Sequence, residues 1–271
     1  MKIDKKEFKK IYYKCLEDIL AIRPIDEALK DILAVHDYDF KNFDFFYYLK
    51  QSWIRAWEAY KLLPDNANSQ KIKILDIGSF FGNFALCFKR LGYDVIIAEV
   101  YDYYKNAFDE LKIFLENEGL KVLNLDFTTI LFKEGFKEKY DVILCLAVLE
   151  HLGESPQQLM SNIRSFLNQD GEALIEVPNI IYWPNRIKLL IGKSILPSLE
   201  SIYISEFPFM GHHHEYTSKE VDDLTFLTGF MIERKVFYNY SIDSLIAKFF
   251  NFPIILNNNC KEIILAQLKI K

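Results

Sequence analysis

Ile74-Leu75-Asp76-Ile77-Gly78-Ser79-Phe80-Phe81-Gly82-Asn83-Phe84 is an apolar strand that runs into an acidic residue, two glycines four apart and then a helix. Glycine permits the tight turn and a close backbone approach, and the free N–H groups of the helix start favour an anionic group. Asp76, two positions before the first glycine, suits a ligand with a cationic part better than a pyrophosphate. A Gly-x-x-x-Gly loop alone is also compatible with an ordinary strand-to-helix turn.

Downstream of this stretch, short apolar runs alternate with amphipathic segments. Strands are expected at 72–76, 94–98, 121–125, 140–145 and 172–177, and helices at 84–91, 104–117, 156–167 and 218–228. Alternation of this kind implies parallel pairing with right-handed crossovers, hence a doubly wound α/β sheet. The end of the chain breaks the alternation: Met231–Tyr240 and Glu262–Ile270 read as the last two strands, the final one antiparallel, with a short helical pattern between them. Upstream, residues 5–63 carry apolar side chains at three- and four-residue steps and read as helices, with Pro24 able to begin one and Pro64 ending the last. The polar run 64–70, PDNANSQ, is the best linker in the chain. The expected organisation is an N-terminal helical cap over residues 1–70 and a core over 71–271.

Successive strand ends carry acidic residues. Glu99, with Val100 beside it, closes the second strand, where a carboxylate can accept both ribose hydroxyls of an adenosine. Asp126-Phe127 follows the third, a carboxylate and a ring placed where an adenine could be gripped. Ligands of open α/β sheets sit at these ends.

Read in order, ILDIGSFFGNFA, Glu99, Asp126-Phe127, YDVILCLAVLEHL, DGEALIEVPN and GHHHEYTSKEVDDLTFLTGF resemble a class I S-adenosylmethionine-dependent methyltransferase of the small-molecule type, over about residues 71–271. The resemblance implies a seven-stranded Rossmann-like sheet with an antiparallel last strand. It also implies that Asp76, Gly78 and Gly82, with Ser79, Phe80, Phe81 and Asn83 nearby, hold the methionine end of the cofactor. Glu99 and Val100 would bind the ribose, Asp126 the adenine amino group and Phe127 the ring face. Leu146 and Ala147 would lie beneath the sulfonium and adenosine. Phe80 departs from the pattern, standing where the family has a middle glycine.

Methyl transfer from a sulfonium is an in-line displacement, so the protein must align the acceptor, exclude water and supply a base for a hydroxyl acceptor. His151, His212, His213 and His214 are the candidates, since imidazole takes a proton near neutral pH. His151 also reads as a helix-start residue bonded to backbone, and the three consecutive histidines also read as polar surface. In an extended segment His212 and His214 face one way and His213 the other, so no metal site is expected from those three. The aromatic-rich connection after the fifth strand is expected to close the site as a lid over about 179–216. Within it Asn179, Tyr182, Arg186 and Tyr216 are candidate acceptor contacts. Arg186 and Lys188 suit a phosphate or uronate, or else lie on a solvated helix. In the cap, Tyr47, Trp53 and Arg55 could fold over the cofactor, or Trp53 and Trp57 could be plain core.

Composition bounds the partners. The 271 residues carry 33 Lys+Arg against 38 Asp+Glu, a formal charge of -5, which argues against a polynucleotide. Four scattered cysteines suggest neither zinc nor a disulfide framework and fit a reducing cytoplasm. No stretch is expected to cross a membrane; the nearest, 245–256, is broken by Lys, Asn and Pro. The 23 Phe and 16 Tyr reflect either nucleotide bias or an aromatic-lined pocket. The reading is an O-methyltransferase acting on a small polar acceptor, a sugar, sugar-phosphate or nucleotide-linked intermediate of capsule or surface polysaccharide synthesis. The alternatives are an NAD(P)-dependent oxidoreductase, against which Asp76 and the incomplete glycine motif weigh, and a non-catalytic nucleotide-binding module.

Overall fold

The computed structural model describes residues 2–25, 27–65, 71–129, 138–241 and 258–271. Most of the linker at 64–70, the 245–256 stretch and the segment between the last two strands lie outside the described residues.

Four helices come first: α1 (Lys5–Ala21), α2 (Glu27–His36), α3 (Phe45–Gln51) and α4 (Trp53–Leu62). Asp4 caps α1 by accepting from the amides of Lys6 and Glu7, and the helix buries Phe8, Tyr12, Cys15, Leu16 and Ile19 along one stripe. The helical periodicity that runs up to Pro64 is interrupted at Ser52, whose hydroxyl bonds back to the Tyr48 carbonyl at 2.8 Å. Then follow β1 (Lys73–Ile77), α5 (Asn83–Arg90), β2 (Asp94–Glu99), α6 (Asp109–Asn117), β3 (Lys121–Asn124), β4 (Tyr140–Leu146), α7 (Gln157–Phe166) and β5 (Leu167–Pro178). The chain ends with α8 (Trp183–Leu190), α9 (Leu199–Ile204), α10 (Ser218–Leu227), β6 (Phe230–Tyr238) and β7 (Ile263–Ile270).

The seven strands pair in the order β3-β2-β1-β4-β5-β7-β6. β7 is inserted antiparallel between β5 and β6, and the other neighbours are parallel. This is the doubly wound, mostly parallel sheet expected from the alternation. The order reverses between β1 and β4, so the carboxyl ends of β1, β2 and β4 flank the crevice where such sheets hold ligands.

Strand alternation divides the core into two. Ile74, Val95, Ile97, Val142, Leu144 and Leu265 face the layer that contains α5, α6 and the buried stripes of α1, α3 and α4. Leu75, Ile96, Ile143, Cys145, Ala173 and Ala266 face the layer of α7 and α10. The N-terminal helices thus share a core with the first layer. Each buried aromatic or aliphatic side chain there contributes roughly 1.5–3 kcal/mol of transfer energy.

The connection after β5 is tied to the N-terminal helices by backbone. Glu206 N–H donates to the Val35 carbonyl at 2.7 Å and Met210 N–H to the His36 carbonyl at 2.8 Å. The Ser201 hydroxyl reaches Asp37 at 3.1 Å. Along this connection α8, α9 and the turn after them hold apolar residues outward: Leu190 is 84% exposed, Tyr203 86% and Phe207 96%.

Candidate active site

The loop after β1 is held from two sides. Gly78 and Gly82 both have φ +68, a conformation that costs an L side chain about 1–2 kcal/mol. A Cβ at Gly78 would meet Val148 Cγ2 at 2.5 Å and one at Gly82 would meet Leu115 Cδ1 at 2.7 Å. Phe80, where a glycine was expected, also adopts φ +51. Its ring lies against Phe81 at 4.4 Å and near Tyr104, Phe108 and Phe45 at 5.8, 5.9 and 6.1 Å, and this packing offsets the backbone cost. Part of the aromatic excess therefore builds the wall behind the loop.

Asp76 and Glu99 lie at neighbouring strand ends, both buried. Glu99 accepts from Phe80 N–H at 2.7 Å and Val100 N–H at 2.8 Å, one on each carboxylate oxygen, so loop and strand end are locked together. Asp76 accepts from the Ser79 hydroxyl at 2.6 Å. Burial pushes Asp76 up to about 7, and Glu99 nearby adds to the rise. Burial also raises Glu99 against the pull of its two amide bonds. Two desolvated carboxylates side by side are stabilised by a cation and by hydroxyl donors. That fits a ligand with an ammonium group and a ribose.

The remaining cofactor candidates are placed as follows. Asn83 turns inward and donates to the Tyr12 hydroxyl at 2.8 Å, linking the loop to α1. Asp126 accepts from the amide and hydroxyl of Thr128 at 2.8 and 2.6 Å. Phe127 is buried with its ring 5.4 Å from Phe166, inside the α7 layer. Leu146 is buried at the end of β4, and Ala147 follows with φ +57, its N–H on the Glu176 carbonyl at 3.0 Å.

On the other side of β4 the chain makes a short 3-10 turn, Leu149–His151. Glu150 is 2% exposed, and its Oε2 has no hydrogen-bond partner among the described residues. Burial raises it to about 7. The His151 ring meets the Met210 carbonyl through Nδ1 at 2.8 Å and the His212 ring edge-on at 4.8 Å between centroids. Burial, with His212 beside it, lowers His151 to about 4 and keeps it neutral. His212 Nδ1 lies 3.2 Å from Glu215 Oε1. Burial opposes its charge, but the bond to Glu215 and the fields of Glu150, Glu215 and Asp37 leave it raised. His213 leaves this group to meet the Phe209 carbonyl at 2.7 Å, and His214 pairs with Glu220 at 3.3 Å. The structure thus brings together His151 and His212 of the four candidate bases. Glu150, adjacent to His151 in LEHL, escaped the sequence reading. An acidic residue directly after the apolar run ILCLAVL was the available signal.

Asn179 is 1% exposed, and its amide donates to the carbonyls of Asn259 and Lys261 at 2.8 and 2.7 Å. It staples the strand ends and has no free amide to offer an acceptor. Tyr182 is half-buried and bonded to Ser241. Exposed Arg186 donates to the Ile181 carbonyl at 3.0 Å. Tyr216 is buried beside His214, its hydroxyl pushed up to about 12 by burial. A cavity of about 60 Å³ at this edge is lined by Ile180, Leu196, Pro197 and His212–Glu215. A larger surface cavity of about 860 Å³ lies at the opposite edge of the sheet, against Lys139, Arg164, Gly229 and Ile270, away from every strand-end carboxylate.

Arg55 is buried and donates to Glu176 at 2.7 Å through Nε and to the Tyr48 hydroxyl at 2.7 Å through Nη1. Tyr238 donates to the other Glu176 oxygen. This cluster ties α3 and α4 to β5 and β6 beneath the site. Trp53 is buried with Lys9 above its ring, and Tyr47 bonds the Ser241 carbonyl at 3.2 Å.

Comparisons with known proteins bear on the family and the fold. The sequence model of a family described as a methyltransferase domain matches residues 47–234. A ubiquinone biosynthesis O-methyltransferase of Rickettsia prowazekii (strain Madrid E) is 29% identical over 146 residues, 53% of this chain and 55% of that protein. Its counterpart in Rickettsia typhi (strain ATCC VR-144 / Wilmington) is 33% identical over 109 residues, 40% of this chain and 42% of that one. The chain spans about half the length of these curated relatives. An S-adenosylmethionine-dependent methyltransferase from Mesorhizobium loti superposes with TM-score 0.55 at 13% identity, over 80% of this chain and 97% of that one. A magnesium protoporphyrin IX methyltransferase from Synechocystis PCC 6803, with bound SAH, superposes with TM-score 0.54 at 13% identity, over 84% and 89%. At that identity the structural likeness concerns the fold. With the family match running over well more than half of the chain, from α3 into β6, the protein belongs to the methyltransferase domain family.

Proposed function

We propose that the protein transfers a methyl group from S-adenosylmethionine to an oxygen of a small acceptor. The observation that carries this is the pairing of buried Asp76 and Glu99 at neighbouring strand ends around the Gly78–Gly82 turn, a desolvated acidic cradle suited to a ligand bearing an ammonium group and a ribose. The cofactor supplies an electrophilic methyl group on a sulfonium. Asp76 holds the ammonium, Glu99 the ribose hydroxyls and Asp126 the adenine edge. His151 and His212, with Glu150 between β4 and the lid, face the acceptor hydroxyl and lower the cost of its deprotonation. The segment 179–216 excludes water above them, with residues 1–70 as the cap against which it docks.

The acceptor class has two readings. Arg186 and Lys188 favour a sugar-phosphate or nucleotide-linked sugar, as in surface polysaccharide synthesis. The apolar lining of the small cavity, Ile180, Leu196 and Pro197, favours an apolar acceptor, as does the naming of the curated relatives for ubiquinone biosynthesis. Calorimetry with S-adenosylhomocysteine and with NAD(P) tests the first claim: tight binding of the former alone supports it, and the reverse overturns it. Mass spectrometry of cell extracts incubated with labelled S-adenosylmethionine then separates the acceptors, and labelled protein or RNA would refute both.

A further inference from the structure

Glu150, His151 and His212 each place one potential ligand atom within 4.8 Å of the other two. The Met210 carbonyl can only accept, so the proton of neutral His151 is on Nδ1 and its lone pair on Nε2. The Glu215 carboxylate imposes the same tautomer on His212. Each imidazole therefore has one nitrogen anchored to an oxygen and the other free to bind a Lewis acid, the arrangement that orients metal-binding histidines. Beside the two rings stands Glu150, 2% exposed, with Oε2 unpartnered among the described residues. A buried carboxylate oxygen without a donor is unfavourable, and a cation relieves it. Glu150 and His212 are not within ion-pair distance, which leaves room for an ion between them.

We infer that Glu150, His151 and His212 bind a divalent first-row transition cation. Two imidazoles and one carboxylate match the ligand set of open catalytic zinc sites, with at least one position left for another oxygen. Two of the ligands follow β4 and the third comes from the connection after β5, so the cation also pins the lid to the sheet. Resting on the methyl-transfer reading, the open position takes the acceptor hydroxyl. Its proton passes to solvent, the oxygen bonds the methyl carbon, and the carbon–sulfur bond breaks with its electron pair remaining on sulfur. The three consecutive histidines do not form the site together: His213 and His214 are held elsewhere, and His212 alone turns toward Glu150.

The test is calorimetric titration of Zn2+ into chelator-treated full-length protein, with S-adenosylhomocysteine affinity measured on the same samples. One equivalent should bind, and Glu150→Gln and His212→Asn should each weaken binding by about 10- to 100-fold. His214→Asn should leave Zn2+ affinity unchanged. Should Glu150→Gln fail to fold, His212→Asn at the more exposed lid carries the test. Absence of saturable binding, or loss in His214→Asn with none in His212→Asn, overturns the site even where S-adenosylhomocysteine still binds. Failure of S-adenosylhomocysteine binding with Zn2+ binding intact would instead remove the methyl-transfer reading alone.

Discussion

Glu99, which ends β2, and Glu150, four residues past β4, are both buried glutamates at the carboxyl edge of the sheet, yet their surroundings differ. Each oxygen of Glu99 has a backbone N–H, so the side chain is part of the loop's construction before any ligand arrives. Glu150 has one oxygen without a partner among the described residues and two imidazoles at hand. The first arrangement is a finished cradle that adds ligand contacts to existing ones. The second is completed by what binds there.

The largest effect should come from a third buried glutamate, Glu176, whose cation is already in place. Arg55→Ala would leave Glu176, which is fully buried, without its cation, and should cost about 3–5 kcal/mol, read from the shift in urea midpoint. A shift below 1 kcal/mol would mean the pair only breaks even. Glu99→Ala should weaken S-adenosylhomocysteine binding about 100-fold or more, about 2.7 kcal/mol, because both the ribose contact and the loop anchor go. Unchanged affinity would refute the ribose assignment. Gly78→Ala should lose about 1–2 kcal/mol of stability from its φ alone, with further loss of cofactor affinity unless Val148 yields.

Acidity separates the two sides further. Asp76 and Glu150 both titrate near 7 in the folded chain, above the values of about 4 that they have unfolded. The folded protein therefore binds those protons more tightly, so the contribution of these two groups to ligand-free stability is largest at low pH and is lost as pH rises from about 4 to about 7. Urea midpoints at pH 5.5 and 7.5 should differ in that sense, and Asp76→Asn should flatten the slope. Cofactor affinity should run the other way, rising through pH 7 as Asp76 ionises. The smallest effect belongs to the lid: Leu190→Ser and Phe207→Ser should change stability by less than about 0.5 kcal/mol, since both side chains are exposed. A larger loss would mean that these residues pack where the structure leaves them open.

Much of the cradle was legible because it is local. Strand, acid and glycines lie within a dozen residues, and Glu99 follows at the end of the next strand. Phe80 shows the limit. Its position signalled a missing glycine, but that the loop would keep the left-handed backbone depended on rings from α3 and from residues 104–108. The place of Asn179 after β5 suggests an acceptor contact, whereas its amide is consumed by carbonyls about eighty residues away. Arg55 was named only as a possible cover for the cofactor. Its partner Glu176 could not be paired with it from sequence, since 121 residues separate them.

Periodicity and turn chemistry act over a few residues. They were enough to establish a doubly wound sheet with an antiparallel last strand, helices ahead of it and acidic strand ends around a glycine turn. Which histidine meets Glu150, which helix neutralises Glu176 and which amides are already occupied depended on long-range packing. Those contacts join segments whose separation along the chain carries no local signal, and burial decides whether each polar group must find a partner there.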